Sequence, residues 1–274
     1  MTEISFAKAS EISETAPGAF DWDVPEGWLQ GRGAWGGLVI AASVNAAEST
    51  QKSIDASRRV RNVTSHLFGA LPAGPACIEV ACLRAGSAMT TWSVRITGSD
   101  GVLASQAVVI TGTQRAADVE EPWGTAVMPE LADWRLVPEV PVVPPLGPEF
   151  GAHLKYRPTA GIPGSGASPE GRGWVSAAPD SEFGSMWTAG LVLGLVDAWW
   201  PASYVAMSAL RPMATVSFSA HLLVDPATLD VEQPLAFESW VSAMEHGFTS
   251  ETRRLWSPDG RLVVENHQSI VVIK

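Results

Sequence analysis

Between residues 36 and 112 the chain reads as one apolar helix followed by four strands, and between 183 and 274 the same elements return in the same order. The echo reaches individual residues. Thr64-Ser-His-Leu-Phe68 is matched by Ser219-Ala-His-Leu-Leu223, and the Asp-Gly turn at Asp100 by the one at Asp259, offsets of 155 and 159 residues. Repetition at such a period predicts two copies of one fold. In each copy the strand-like runs are rich in β-branched residues (59–71, 76–86, 89–99 and 101–112, then 213–225, 234–244, 248–257 and 261–274). The joints between them are short turns built from Gly, Pro, Ser and Asp, which predicts antiparallel meanders because parallel neighbours need long crossovers.

The helix of the first copy, residues 38–51, carries Ala, Val and Ile on most of its faces. A helix lying on a flat sheet would keep a polar outer face, so this one is expected to be wrapped by its own curved sheet. Two such units each expose a sheet edge, and joining them into one continuous sheet removes both edges. The fold class expected is therefore α+β, a double hotdog. The N-terminal unit spans residues 1–112, a Pro/Gly-rich connection spans 113–172, and the C-terminal unit spans 173–274 and opens with a short strand at 173–179. With 46% hydrophobic and 17% charged residues the chain can fill two such cores.

Charge excludes some partners. A formal net charge of -11 disfavours nucleic acid and anionic membrane surfaces, which call for basic patches. A small anionic ligand needs only a few local cations, and Arg58, Arg59 and Arg61 form the densest group in the chain. They read either as a solvated charge run or as contacts for phosphates. No apolar run reaches 18 residues, and the first fifteen residues mix acids with polar side chains, so a soluble, cytoplasmic protein is expected. Cys77 and Cys82, the only cysteines, stand five apart in one strand and so on opposite faces. They are expected to be buried thiols without a disulfide, and no metal site is expected.

Several residues stand out chemically. Gly36 and Gly37 open the first helix without a capping side chain, which leaves backbone N–H groups for an oxyanion or for close packing. Asp197 is an acid on an otherwise apolar helix predicted over 183–200, so it must be paired, pocket-facing or protonated. Glu245 and Glu265 are further carboxylates of the second unit. His66 and His221 occupy matching places in the two copies, which points to a shared structural position. His246 belongs to a turn, and His267 must face away from its neighbour Gln268 on a strand. The 12 tryptophans suit packing between layers, with Trp199 and Trp200 also placed to line an acyl or aryl pocket.

Five stretches in order resemble the acyl-CoA thioesterase II family: residues 34–47, 65–75, the helix ending at 195–201, the strand 214–223, and 247–268. The resemblance implies hydrolysis of a fatty acyl-CoA to free acid and coenzyme A by direct attack of water, with an Asp, a Thr and a Gln of the second hotdog holding that water; the tryptophans add an aromatic acyl-CoA as a candidate substrate. Carried over, the Gln falls on Gln268 and the Asp position on Ser217. The Thr position falls near Trp240 or Val241, with Ser239 and Ser242 close by. The expected site thus combines Gln268, Ser217 and Ser239, with Asp197 orienting it, a glycine N–H at Gly36 or Gly37 polarising the carbonyl, and Arg58 and Arg59 binding the substrate. No cofactor is implied beyond the coenzyme A of the substrate, and a homodimer is expected. Two other readings stay open: an acyl-CoA-binding protein without catalysis, and an enoyl-CoA hydratase, for which the spacing of His66, Gly69 and Pro72 is unsuitable.

Overall fold

A computed structural model describes residues 4–115, 124–177 and 186–273. The chain opens with a short helix α1 (Phe6–Ala9) and a hairpin of β1 (Ser13–Ala16) and β2 (Ala19–Val24), followed by the two-residue strands β3 (Leu29–Gln30) and β4 (Gly33–Ala34). Helix α2 (Gly36–Ile54) leads into β5 (Arg59–Leu67), β6 (Gly74–Ala85), β7 (Met89–Gly98) and β8 (Leu103–Gly112). The second half has β9 (Leu154–Ala160) and β10 (Glu170–Ala177), then α3 (Ala189–Leu195), α4 (Ser203–Ala206), β11 (Met213–Leu222), β12 (Leu235–Glu245), β13 (Phe248–Trp256) and β14 (Leu262–Val272).

Twelve strands form one sheet in the order β1-β2-β6-β7-β8-β5-β11-β14-β13-β12-β10-β9. The second half of that order mirrors the first, and the halves join where β5 pairs antiparallel with β11, Ser217 opposite His66 and His221 opposite Asn62. Each half curls around its helix. In α2, Leu38, Ile40, Ala41, Ala42, Val44 and Ala46 are all fully buried, and α3 is buried along its whole length. Complete burial of one Leu or Ile side chain is worth about 1.5–3 kcal/mol, which is why a helix buried over most of its faces is stable only inside such a wrapping. The double hotdog on one continuous sheet is thus the fold of this chain.

Three expectations need correction. The stretch 113–172 is not merely a connection, because it contains β9 and the first residues of β10. Pro158 sits within β9, an edge strand, where the missing N–H is tolerated. The helix expected over 183–200 is much shorter. Its start at 183–185 lies outside the described residues, and α3 ends at Leu195, so Asp197 stands on the turn beyond it. The cysteines are free but exposed rather than buried, since the β6 end that carries Cys82 overhangs the core and Cys77 alternates outward between Ala76 and Ile78.

Candidate active site

The two helices touch at glycine. A Cβ on Gly37 would lie 2.5 Å from the carbonyl oxygen of Gly194, and one on Gly194 would lie 2.4 Å from that of Gly37, so only residues without side chains let α2 and α3 approach this closely. Two residues beyond α3 the chain reaches Asp197, whose backbone carbonyl accepts from Trp35 Nε1 at 3.2 Å. Its carboxylate turns toward the start of α2. Oδ2 lies 2.8 Å from where a Gly36 Cβ would stand, and the backbone N–H of Gly37 bonds to the carboxylate. Helix α2 has no side-chain cap of its own. An acid from the other half takes that place, where the positive end of the helix dipole favours it.

Gln268, on β14, is wholly buried and pairs with Glu251 on one side and Phe218 on the other. Its Nε2 donates to Asp197 Oδ1 at 2.9 Å and to Asn266 Oδ1 at 3.0 Å, while its Oε1 accepts from Thr215 Oγ1 at 2.9 Å. Thr215, Gln268 and Asp197 therefore form one hydrogen-bonded line. Thr215, a half-buried residue, stands at one end and the buried carboxylate at the other.

Thr215 reaches this line because β11 bulges. Its register against β14 slips between Thr215 and Ser217, and the extra residue, Val216, returns Thr215 to the face of Gln268. The same bulge overturns the expectation for Ser217. Ser217 pairs with Ser269 and His66, while its neighbour Phe218 pairs with Gln268, so Ser217 points to the opposite face of the sheet.

A buried ion pair backs the line. Arg253 Nε donates to Glu251 Oε1 at 2.8 Å, and its Nη1 lies 3.4 Å from Asp197 Oδ1, 3.4 Å from the carbonyl oxygen of Val196 and 3.2 Å from that of Trp199. The other oxygen of Glu251 accepts the backbone N–H of Ala202 at 2.9 Å. Burial pushes the Asp197 carboxyl above the usual carboxylate range, and the Arg253 charge, the Gln268 bond and the Gly37 N–H partly offset this. Glu251 is raised by burial in the same way, against Arg253 and the Ala202 N–H. Tyr156, whose hydroxyl donates to the Ala198 carbonyl at 3.1 Å, is raised by burial first and by the nearby Asp197 charge second.

The remaining predicted residues stand elsewhere. Ser239 is buried on β12 opposite Gly171 and Arg253, and its hydroxyl has no hydrogen-bond partner among the described residues. Arg58 is held by Asp55, by Thr90 Oγ1 at 2.7 Å and by the Ser87 carbonyl, so its guanidinium is committed to local structure. Arg59 begins β5 at the far end from Leu67, whose side chain reaches to 3.2 Å of the Gly36 Cβ position. Eight residues of strand separate them, roughly 26 Å at 3.3 Å per residue. Neither arginine joins the site. Glu265 pairs with Arg254, and Glu245 is exposed beside His246, whose φ of 51° fits the expected turn. His267 is exposed and bonded to Ser250, on the face away from Gln268. No group of three or more His, Cys, Asp or Glu among the described residues could hold a metal ion.

Thr215, Glu251 and Arg253 were not singled out in the sequence. A signal did exist for the last two. In Ser250-Glu-Thr-Arg-Arg254 the alternation of a strand puts Glu251 and Arg253 on one face, and Leu255 continues that face into the core.

Two family models cover most of the chain. That of the acyl-CoA thioesterase N-terminal domain matches residues 24–114, and that of the C-terminal domain matches residues 127–272. The chain belongs to the acyl-CoA thioesterase family. Solved structures share its fold throughout. A hotdog protein of unknown function from Alicyclobacillus acidocaldarius is 20% identical with a TM-score of 0.87, covering 98% of each chain. A protein assigned as a thioesterase II from Thermobifida fusca is 22% identical with a TM-score of 0.81, covering 100% of each chain. An acyl-CoA thioesterase II, TesB2, from Mycobacterium marinum is 13% identical with a TM-score of 0.74, covering 98% of each chain. No curated protein matches the chain. Among the described residues of this acyl-CoA thioesterase family member, no helix is long and apolar enough to cross a membrane.

Proposed function

We propose that the protein hydrolyses a fatty or aromatic acyl-CoA to free acid and coenzyme A, with Asp197, Thr215 and Gln268 directing the attack of water on the thioester carbonyl. The observation that carries this reading is the line Thr215–Gln268–Asp197 laid against the start of α2. Family membership supports the substrate class.

The roles follow from donor and acceptor capacity. The Thr215 hydroxyl spends its proton on Gln268, so its oxygen can only accept from a water. The ionised Asp197 carboxylate also accepts. A water donating to both acceptors keeps a lone pair for the thioester carbon, and Asp197 takes the proton as the new C–O bond forms; when the C–S bond breaks, the departing coenzyme A thiolate takes that proton, which restores the carboxylate. Gln268, acting through its amide, fixes the spacing of the other two. The start of α2 sits beside them as a source of positive potential for the developing oxyanion.

The test is release of free thiol from a panel of straight-chain and aryl acyl-CoAs. The reading expects turnover by the wild-type protein and its loss, with folding intact, in Gln268→Ala and Asp197→Asn. Tight binding of acyl-CoA without turnover by the wild type would replace it with a binding function.

A further inference from the structure

Glu251 and Arg253 lie wholly inside the protein, and neither is needed to hold water. Ion pairs buried to this degree are rarely neutral in their effect on a neighbour, because little solvent screens them. The contacts of this pair converge on one short segment. Arg253 bonds the carbonyls of Val196 and Trp199 and faces Asp197 between them, while Glu251 bonds the N–H of Ala202. The turn that carries Asp197 is therefore held at both ends by two side chains of a single strand, two residues apart.

We propose that Arg253 and Glu251 are opposed positioning residues. Together they clamp the 196–202 turn, and by acting on Asp197 with opposite charge they set the pH at which its carboxylate becomes the base. This rests on the hydrolytic reading given above.

The groups facing Asp197 are Arg253 and the more distant Glu251 from β13, Gln268 from β14, the Gly37 N–H and the start of α2, Trp35 from the segment before α2, and Tyr156 from β9. Arg253 is the cation of this set, and Glu251 is the acid that draws on the same guanidinium. Removing the cation should make Asp197 harder to ionise. Removing the competing anion should make it easier. A purely structural clamp would produce no such opposition, since damage to a clamp lowers the rate at every pH.

The experiment compares pH profiles of kcat for acyl-CoA hydrolysis by the wild type, Glu251→Gln and Arg253→Gln, with melting curves to confirm folding. Glu251→Gln keeps the shape and the acceptor for the Ala202 N–H, and gives up the acceptor for Arg253 Nε. Its acid limb should move down by about one pH unit, and that of Arg253→Gln up by about as much, the scale of a single charge a few ångströms away. Equal or same-direction movement in both variants would overturn the proposal. Should Arg253→Gln fail to fold, the downward movement in Glu251→Gln alone decides. If the wild type hydrolyses no acyl-CoA, the carboxyl titration of Asp197 is followed by carbon NMR, assigned with Asp197→Asn, in the wild type and Glu251→Gln. A lower midpoint in Glu251→Gln sustains the charge-setting role, and an unchanged midpoint removes it whatever the substrate proves to be.

Discussion

Gln268 Nε2 donates to Asp197 Oδ1 at 2.9 Å, which fastens the last strand of the protein to a turn 71 residues earlier in the chain. Both groups are buried, so water is a poor substitute for either partner. Gln268→Ala should lower kcat for acyl-CoA hydrolysis by about 10²–10⁴-fold, the range associated with loss of one acid–base arrangement, while circular dichroism stays that of the wild type. Hydrolysis assays at saturating substrate check this. A change in KM with kcat intact would move Gln268 from water positioning to substrate binding.

Thr215 contributes one hydroxyl, which donates to Gln268 Oε1 at 2.9 Å. Thr215→Ser should retain most of the activity. Thr215→Val, which keeps shape and loses the hydroxyl, should lose about tenfold, equivalent to the roughly 1.4 kcal/mol upper range of a neutral hydrogen bond. Side-by-side kcat measurements of the two variants separate the hydroxyl from the volume.

Ser217, on the other face of β11, gives the converse expectation. Ser217→Ala should leave kcat within about twofold, because a surface substitution away from the site changes little. A large loss would mean that β11 is read in the wrong register.

The raised carboxyls of Asp197 and Glu251 also govern stability. A group whose pKa is higher folded than unfolded binds more protons in the folded state, so its contribution to stability is fully present below the unfolded value and is lost as pH rises through the folded value. Melting temperature should therefore decline as pH climbs from the ordinary carboxylate range through the raised one. Glu251→Gln should show a shallower decline than the wild type. Calorimetry in matched buffers across that interval measures it.

Gly194→Ala tests the helix contact. Its Cβ would meet the Gly37 carbonyl oxygen at 2.4 Å and Phe6 Cζ at 2.7 Å, and backbone cannot yield as a flexible side chain can. A loss of about 1–3 kcal/mol, as for overpacking in a tight core, is expected in chemical denaturation. Activity should fall with it, since Asp197 lies three residues on.

Much of the fold was legible because repetition and turn chemistry agree at every level, from the Asp-Gly turns at Asp100 and Asp259 to the Ala-, Val- and Ile-rich helix at residues 38–51. The missed strand β9 contains Pro158 and is bordered by Gly161 and Gly164, so local composition argued against what pairing with β10 enforces. At the site, Gln268 and Asp197 could be found because one follows a strong turn signal and the other interrupts an apolar run. Thr215 could not. A bulge inserts one residue without a mark in the sequence, and a single added residue exchanges the faces of everything before it. Ser217, two positions away, was expected beside Gln268, where Thr215 stands in space.

The acid that caps α2 belongs to the other copy of the fold, and this makes the repeat lopsided at the proposed site. The first copy supplies a helix end, and the second supplies the carboxylate, the amide and the hydroxyl. Neither copy, released as a separate chain, would hold a whole site. With both copies in a single polypeptide each half can serve one of these purposes, so the architecture repeats while the residues gathered at the start of α2 do not.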